Sequence, residues 1–379
     1  MTIKTTEQDR TSPFHRAPTV EELLEVARQR IQVSDEELAE ARRRRDLIGG
    51  ALMREFPGSR IYINGSVAHG DALDPLTDID LGVVVAEAKH THGPGKKGCA
   101  DLQERAANAI RAALRNEFPE LRVEWKSRKR SILVRFAKPV SFGQDDFTAD
   151  VIVAIDNPDH EGLFIPSYAT WSRSHPEEHT RMVREANKAT RSTYARVVRL
   201  LKHYNRGNQH PLCSWNIKAL ALAALTSPTK LAQGMLDWFD HAIDDLSEGL
   251  TEDPARVAEK PISLNKMTCT EVVDRLKRDR ERLVNAIALE EDGYQILAHE
   301  QLAKFFNDKD ILPFPNATAV QLDAARKFTA DRRKSINQIA PTTGPTAAAT
   351  AITVPTTAAP VVGHHPTQHA PRTRSWGTR

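Results

Sequence analysis

The sequence predicts an α/β lobe, built as a mixed sheet with flanking helices, followed by an all-α C-terminal lobe. Three observations carry this. Short Val/Ile-rich runs at Arg60 to Ile63, Ile79 to Ala86 and Phe147 to Ile155 alternate with helical patterns. From Thr180 onward the pattern turns wholly helical. A chain of 379 residues with 40% hydrophobic content can also bury enough apolar surface for two lobes.

Residues 1–17 are polar and expected to be disordered. Val20 to Phe56 reads as one long helix or a broken pair, with the capping-box sequence Ser34-Asp35-Glu36-Glu37 marking a break near Val33. Arg60 to Ile63 and Ile79 to Ala86 read as strands. Lys89 to Gly98, rich in Gly, Pro, His and Lys, reads as an exposed loop. Asp101 to Phe118 is an amphipathic helix, and Leu121 to Trp125, Ser131 to Phe136 and Phe147 to Ile155 supply three further strands. The helical part comprises Thr180 to Asn205, Trp215 to Leu225, Leu231 to Ser247, Thr270 to Leu289, Tyr294 to Asn307 and Val320 to Asn337. The expected division is residues 18–165 for the first lobe, 166–338 for the helical lobe, and 339–379 for a tail of Ala, Thr and Pro whose composition cannot offset its ordering entropy.

Composition excludes several classes. A net charge of +3 sets up no global field that demands nucleic acid, although cationic stretches stand out at Arg122 to Arg135 and Arg181 to Arg206. Cys99, Cys213 and Cys269 are odd in number and far apart, which argues against a disulfide framework or a Cys-based zinc site and fits a reducing cytoplasm. The polar start lacks an apolar signal core, and no run approaches the about 20 apolar residues of a membrane span, so no membrane is expected.

The residues richest in chemistry are Gly65-Ser66, Asp78, Asp80 and Asp150. Side chains alternate along a strand, so Asp78 and Asp80 share a face while Ile79 goes to the core. In the later run Thr148, Asp150 and Ile152 share a face, and pairing the two strands would bring a third carboxylate to the first two. Asp145, Asp146 and Asp156 flank that apolar run instead of lying in it. Three converging carboxylates repel one another and call for cations. Mg²⁺, a hard ion that takes one or two carboxylates and completes its shell with water and phosphates, is the expected compensator, with Mn²⁺ as substitute. Two such ions would serve an in-line displacement at phosphorus, with Asp150 acting on the attacking hydroxyl. Gly65 would let the backbone approach a triphosphate, and Ser66 would donate to its oxygens. A helix starting just after Ser66 would add its dipole.

These residues resemble the DNA polymerase β-like nucleotidyltransferases, and within them the bacterial cGAS/DncV-like (CD-NTase) group. The resemblance rests on Gly65-Ser66-Val67-Ala68-His69-Gly70, Asp78-Ile79-Asp80-Leu81 and Asp150-Val151-Ile152-Val153. Downstream it continues through Ile165-Pro166, Trp171, Pro176, His179, Asn187, the helix Val198 to Asn205, Ser214 and Leu302 to Asp308. It implies synthesis of cyclic di- or trinucleotides from ATP or other NTPs, with pyrophosphate release, as an antiphage second messenger. It further implies that Lys202 contacts the donor triphosphate, that Ser214 helps hold it, and that an activator or downstream effector protein is a partner. Arg199, Lys202 and Arg206 recur at helical spacing, consistent with a basic stripe facing a cleft. Departures are Asp71 where Thr is frequent, Tyr204 for a common Trp, and Lys218 where members often have Glu, a change that bears on base recognition. His69 reads as a solvated loop residue, Asp71 and Asp74 as turn residues, and Trp125 and Trp171 as buried aromatics. The alternative is nucleotidyl transfer to another acceptor, an RNA 3′ end, a small molecule or a protein, with the basic segment Arg122 to Arg135, including Lys126, Arg128, Lys129 and Arg130, as a candidate nucleic-acid contact.

Overall fold

The computed structural model describes residues 16–144 and 146–339. Of the two segments expected to be disordered, only residues 16, 17 and 339 fall within that range. The chain enters through α1 (Val20–Arg30), closed by a capping box in which Glu22 N donates to the Thr19 hydroxyl and Thr19 N to the Glu22 carboxylate. Ser34 and Glu37 repeat the device at the head of α2 (Asp35–Glu55), so the pair of helices breaks where the sequence placed the break.

The sheet lobe follows as β1 (Arg60–Asn64), α3 (Gly65–His69), β2 (Asp78–Val84), α4 (Ala100–Leu114), β3 (Arg122–Glu124), β4 (Ile132–Arg135) and β5 (Thr148–Asp156). Strand order is β1-β2-β5-β4-β3. The sheet is mixed: β2 and β5 run parallel, and the remaining pairs are antiparallel. The inward residues of β2 and β5, Ile79, Leu81, Val83, Val151 and Val153, pack with Ile48 and Leu52 of α2 and Leu102, Ala106 and Ile110 of α4 in one apolar core. Arg44 of α2 is enclosed in the same region, bonded to Glu40 and to the carbonyls of Lys138 and Pro139.

A hairpin of β6 (Leu163–Ser167) and β7 (Thr170–Ser174) then pairs with the end of β5. No strand signal marks this stretch, because Pro166 sits inside β6 and the Tyr168-Ala169 turn carries neither Gly nor Asn. The helical lobe comprises α5 (Pro176–Ala189), α6 (Thr193–Gly207), α7 (Ser214–Ala224), α8 (Leu231–Glu248), α9 (Cys269–Glu291), α10 (Gln295–Phe306) and α11 (Ala317–Ile339), whose residues to Thr329 belong to the same compact unit as everything above.

The single helix expected from Thr180 to Asn205 is two. Arg191 and Ser192 adopt left-handed backbone at φ 50° and 67°, and the junction is held by Thr190 Oγ1, which donates to Ala186 O and accepts from Tyr194 N. Asn187 Oδ1 accepts from Ala195 N across the same corner. The second core gathers Tyr204, Trp238, Phe239 and Phe305, with Tyr204 stacked on Phe305 at 4.6 Å. Although α1 precedes the sheet in sequence, its Leu23, Leu24 and Ala27 are buried in this helical core. The segment Lys89 to Gly98, expected to be an exposed loop, is pinned by buried His92, whose Nε2 lies 3.0 Å from the Asp101 carboxylate.

Candidate active site

The site is laid down by the junction of β1 and β2. The chain leaves β1 at Asn64 and turns at Gly65, with φ 79°. A Cβ at this position would stand 1.7 Å from Asp80 Oδ2, so only glycine lets the turn lie against that carboxylate. The helix α3 begins at Gly65 itself, lasts five residues and stops at left-handed Gly70. Ser66 therefore lies in its first turn, and Ser66 O accepts from Asp71 N at 3.1 Å.

The parallel pairing of β2 and β5 sets Asp78 opposite Thr148 and Asp80 opposite Asp150. The expected neighbourhood of the three aspartates is thus met by strand register. Asp78 and Asp80 both face the cleft between the lobes. Asp80 is pushed up to about 7, first by burial and then by the charges of Asp78 and Asp150. Asp78 is also raised by its recessed position, against the pull of Lys202. Asp150 accepts from Ser131 Oγ at 2.5 Å and lies 3.5 Å from the Arg128 guanidinium. Among the described residues no three His, Cys, Asp or Glu side chains close into a metal cage. The competing acids are spent elsewhere: Asp146 accepts from Ala137 N and Phe147 N, and Asp156 pairs with Arg60 at the far end of β5. Asp145 lies outside the described residues.

The cleft also carries cations. Lys202 of α6 and Ser214, the first residue of α7, both line the cleft, as do Arg206 and Lys218. Lys202 Nζ donates to Asp71 Oδ1 and to Asp71 O, each at 2.8 Å. Lys218 Nζ lies 3.0 Å from Asp71 Oδ2 and 2.9 Å from His69 Nδ1. His69 Nε2 reaches Thr180 Oγ1 at 3.1 Å, and Thr180 in turn donates to Ile63 O. Burial would raise Asp71, yet Lys218 and Lys202 hold it at about 2, ionised. Burial and then the Lys218 charge push His69 down to about 3, neutral. The expected basic stripe is split: Lys202 and Arg206 face the cleft, whereas Arg199 donates to Gly70 O at 2.7 Å.

Two expectations are corrected here. His69, read as solvated, is 2% exposed, and Asp71, read as a turn residue, is fully buried. Their partners sit more than a hundred positions downstream, so nothing local in the sequence signals the cluster. Trp171 stands half-buried at the cleft, its Nε1 donating to Lys97 O, and Trp125 carries Lys126 over its ring. A further wall comes from the segment after α8, tied down by Asp253. Burial would raise that carboxyl, but His179 at 2.6 Å and the amides of Ala258 and Val257 hold it at about 2. No described helix is long and apolar enough to cross a membrane.

No protein-family model matches the sequence, and no curated protein matches it either. Solved structures do match in shape. CdnC of E. coli MS115-1, determined with ATP, superposes with a TM-score of 0.57 at 17% identity, over 78% of this chain and 98% of that one. The CD-NTase CdnG of Bradyrhizobium diazoefficiens, in complex with GTP, gives 0.55 at 15% identity, over 80% and 98%. DncV of Vibrio cholerae, in its 3′-deoxy ATP-bound form, gives 0.53 at 16% identity, over 78% and 81%. With a mixed sheet carrying the aspartates and a helical lobe facing them, the chain has the fold of the cGAS/DncV-like nucleotidyltransferases, the CD-NTases.

Proposed function

We propose that the protein joins NTPs with release of pyrophosphate and closes them into a cyclic di- or trinucleotide, a second messenger of antiphage defence. The observation that carries this reading is the meeting of acidic and basic side chains in one cleft. Asp78 and Asp80, with Asp150 in register beside them, line it together with Lys202, Lys218 and Arg206. A nucleotide triphosphate meets both groups at once, its charge on the lysines and its reacting phosphorus at the carboxylates. The cleft, about 1040 Å³, reaches the top of the about 300–1,000 Å³ range of single-ligand pockets, which favours two nucleotides over one.

Two Mg²⁺ ions, or Mn²⁺, would complete the floor. Adjacent carboxylates are the ligands Mg²⁺ takes, and Asp80, pushed up to about 7 by burial and by its acidic neighbours, would regain its charge beside a cation. Asp78 and Asp80 would hold the ions, with Asp150 contributing. Bound there, they supply Lewis acidity at the α-phosphate and the attacking hydroxyl. The chain does the rest: Gly65 admits the phosphates to the backbone, Ser66 donates to their oxygens, and Lys202 and Ser214 hold the donor triphosphate. Asp150, oriented by Ser131, accepts the proton of the attacking hydroxyl.

Incubating the protein with the four NTPs and Mg²⁺ tests the reading. A phosphatase-resistant product of cyclic mass is expected, and it should vanish in Asp78→Ala/Asp80→Ala. Absence of any such product, with and without candidate activator proteins, would sink the proposal. A second reading draws on Arg128, Lys129 and Arg130, which line the cleft beside Asp150 and suit an anionic acceptor such as an RNA 3′ end. Transfer of label from ATP onto added RNA, protein or a small molecule would favour it.

A further inference from the structure

Two ammonium groups beside the cleft share one carboxylate. Asp71 is fully buried; its Oδ1 accepts from Lys202 at 2.8 Å, while its Oδ2 accepts no hydrogen bond and lies 3.0 Å from the Lys218 ammonium as an ion pair. Lys218 then donates to His69 Nδ1 at 2.9 Å, and a ring nitrogen that accepts from an ammonium brings a lone pair without a charge. The second ring nitrogen, Nε2, donates to Thr180 Oγ1, whose own proton goes to Ile63 O. The tautomer is thereby set, and the ring has no acceptor site left for another proton.

The cluster therefore holds two positive charges against one negative charge. Both lysine side chains are almost enclosed, at 8% and 5% exposure, and among the described residues their ion pairs run to Asp71 alone. A surplus cation so far from bulk water is costly unless an anion meets it. Both lysines line the cleft, where Asp78 and Asp80 feel their charge at longer range and where an anionic ligand can reach them directly. The position is also fixed relative to the phosphate turn, because Asp71 N donates to Ser66 O at 3.1 Å.

We propose that Lys218 is a second polyphosphate-binding residue beside Lys202, held toward the cleft by Asp71 and His69, and that its ligand is the triphosphate chain of an NTP. The proposal deepens the nucleotide-joining reading and rests on it for the identity of the ligand. Lys202 and Lys218 together form a two-cation seat, and Asp71 keeps the two ammonium groups from driving each other apart.

Calorimetric titration of the full chain without divalent cations tests this without turnover, using ATP, inorganic tripolyphosphate and adenosine as separate probes. Lys218→Met keeps the apolar stem and removes the charge. The Kd for ATP and for tripolyphosphate should rise about tenfold, as expected for one lost charge-assisted contact, with adenosine unchanged. Unchanged ATP affinity would overturn the proposal. So would an equal loss for adenosine, which would make Lys218 a packing residue, or a loss for ATP with none for tripolyphosphate, which would place it at the base or sugar. Lys218→Gln, which keeps a donor for His69, gives the same readings should the methionine variant not fold. A protein that binds tripolyphosphate through Lys218 yet forms no product would separate failure of the catalytic reading from failure of this one.

Discussion

Arg44 and Lys218 are both cations carried inside the protein, and the fold treats them in opposite ways. Arg44 is 1% exposed and fully matched: it bonds Glu40 at 2.8 Å and the Lys138 carbonyl at 2.6 Å. Its guanidinium stands 5.0–5.2 Å from the ring centroids of Phe118, Phe136 and Phe147. Lys218 shares one carboxylate with a second lysine and leans on a neutral ring. Where partners close around a buried charge, the charge is architecture. Where they leave an excess beside a cleft, it is a place for a ligand.

The comparison can be broken first at the acidic wall. Asp80→Asn should lower nucleotidyl transfer on the order of 10³-fold, since it removes charge at the reacting phosphorus. Thermal stability should hold or rise, because the neighbouring carboxylates lose a repelling partner. Retained activity would show that the acidic wall is not the reacting one. Gly65→Ala comes next: with φ at 79° and a Cβ directed into Asp80, transfer should fall about 10²-fold. A loss of about 1–3 kcal/mol in urea unfolding should accompany it.

Arg44→Met sharpens the other half of the contrast. It strips the Lys138 and Pro139 carbonyls of their donor, and a loss of about 3 kcal/mol is expected with kcat unchanged. Altered turnover at native stability would reverse the roles assigned to the two cations. The last test concerns His69. Its ordinary value of 6.5 holds in the unfolded chain, against about 3 in the fold, so the unfolded chain takes up the proton first as pH falls. Its contribution to stability is complete above about pH 6.5 and is lost progressively toward pH 3, at up to about 1.4 kcal/mol per pH unit. His69→Gln, which still accepts from Lys218 without titrating, should flatten that slope; identical slopes would mean His69 is not held neutral.

Much of the acidic wall was legible in the sequence. Charge inside a Val/Ile run is expensive, and the two-residue spacing of Asp78 and Asp80 names their shared face. The break before Asp35 was equally plain, because Ser34 and Glu37 form a cap by chemistry local to four residues. The corner at Thr190 to Ser192 was not legible. Two residues other than glycine take left-handed backbone there, and the apolar spacing runs through the turn without interruption. The cationic cluster was hidden for another reason: Asp71 and Lys202 are 131 positions apart, His69 and Lys218 149, and only the packing of α3 against the helical lobe joins them.

The parallel register of β2 and β5 ties the chemistry to the act of folding. Asp150 stands beside Asp80 while Val151 and Val153 stand in the core with Leu81 and Val83. A slip of one residue would turn Asp150 inward and present Val151 to the cleft, exchanging every partner on both faces at once. Arg44, the cation enclosed beside that core, is already matched by Glu40 and two carbonyls, so a carboxylate turned inward would stay unpaired and the misaligned chain would not settle into a stable form. The hydrophobic packing thus proofreads the alignment of the aspartates, and the molecules that complete folding are the ones whose aspartates already stand abreast.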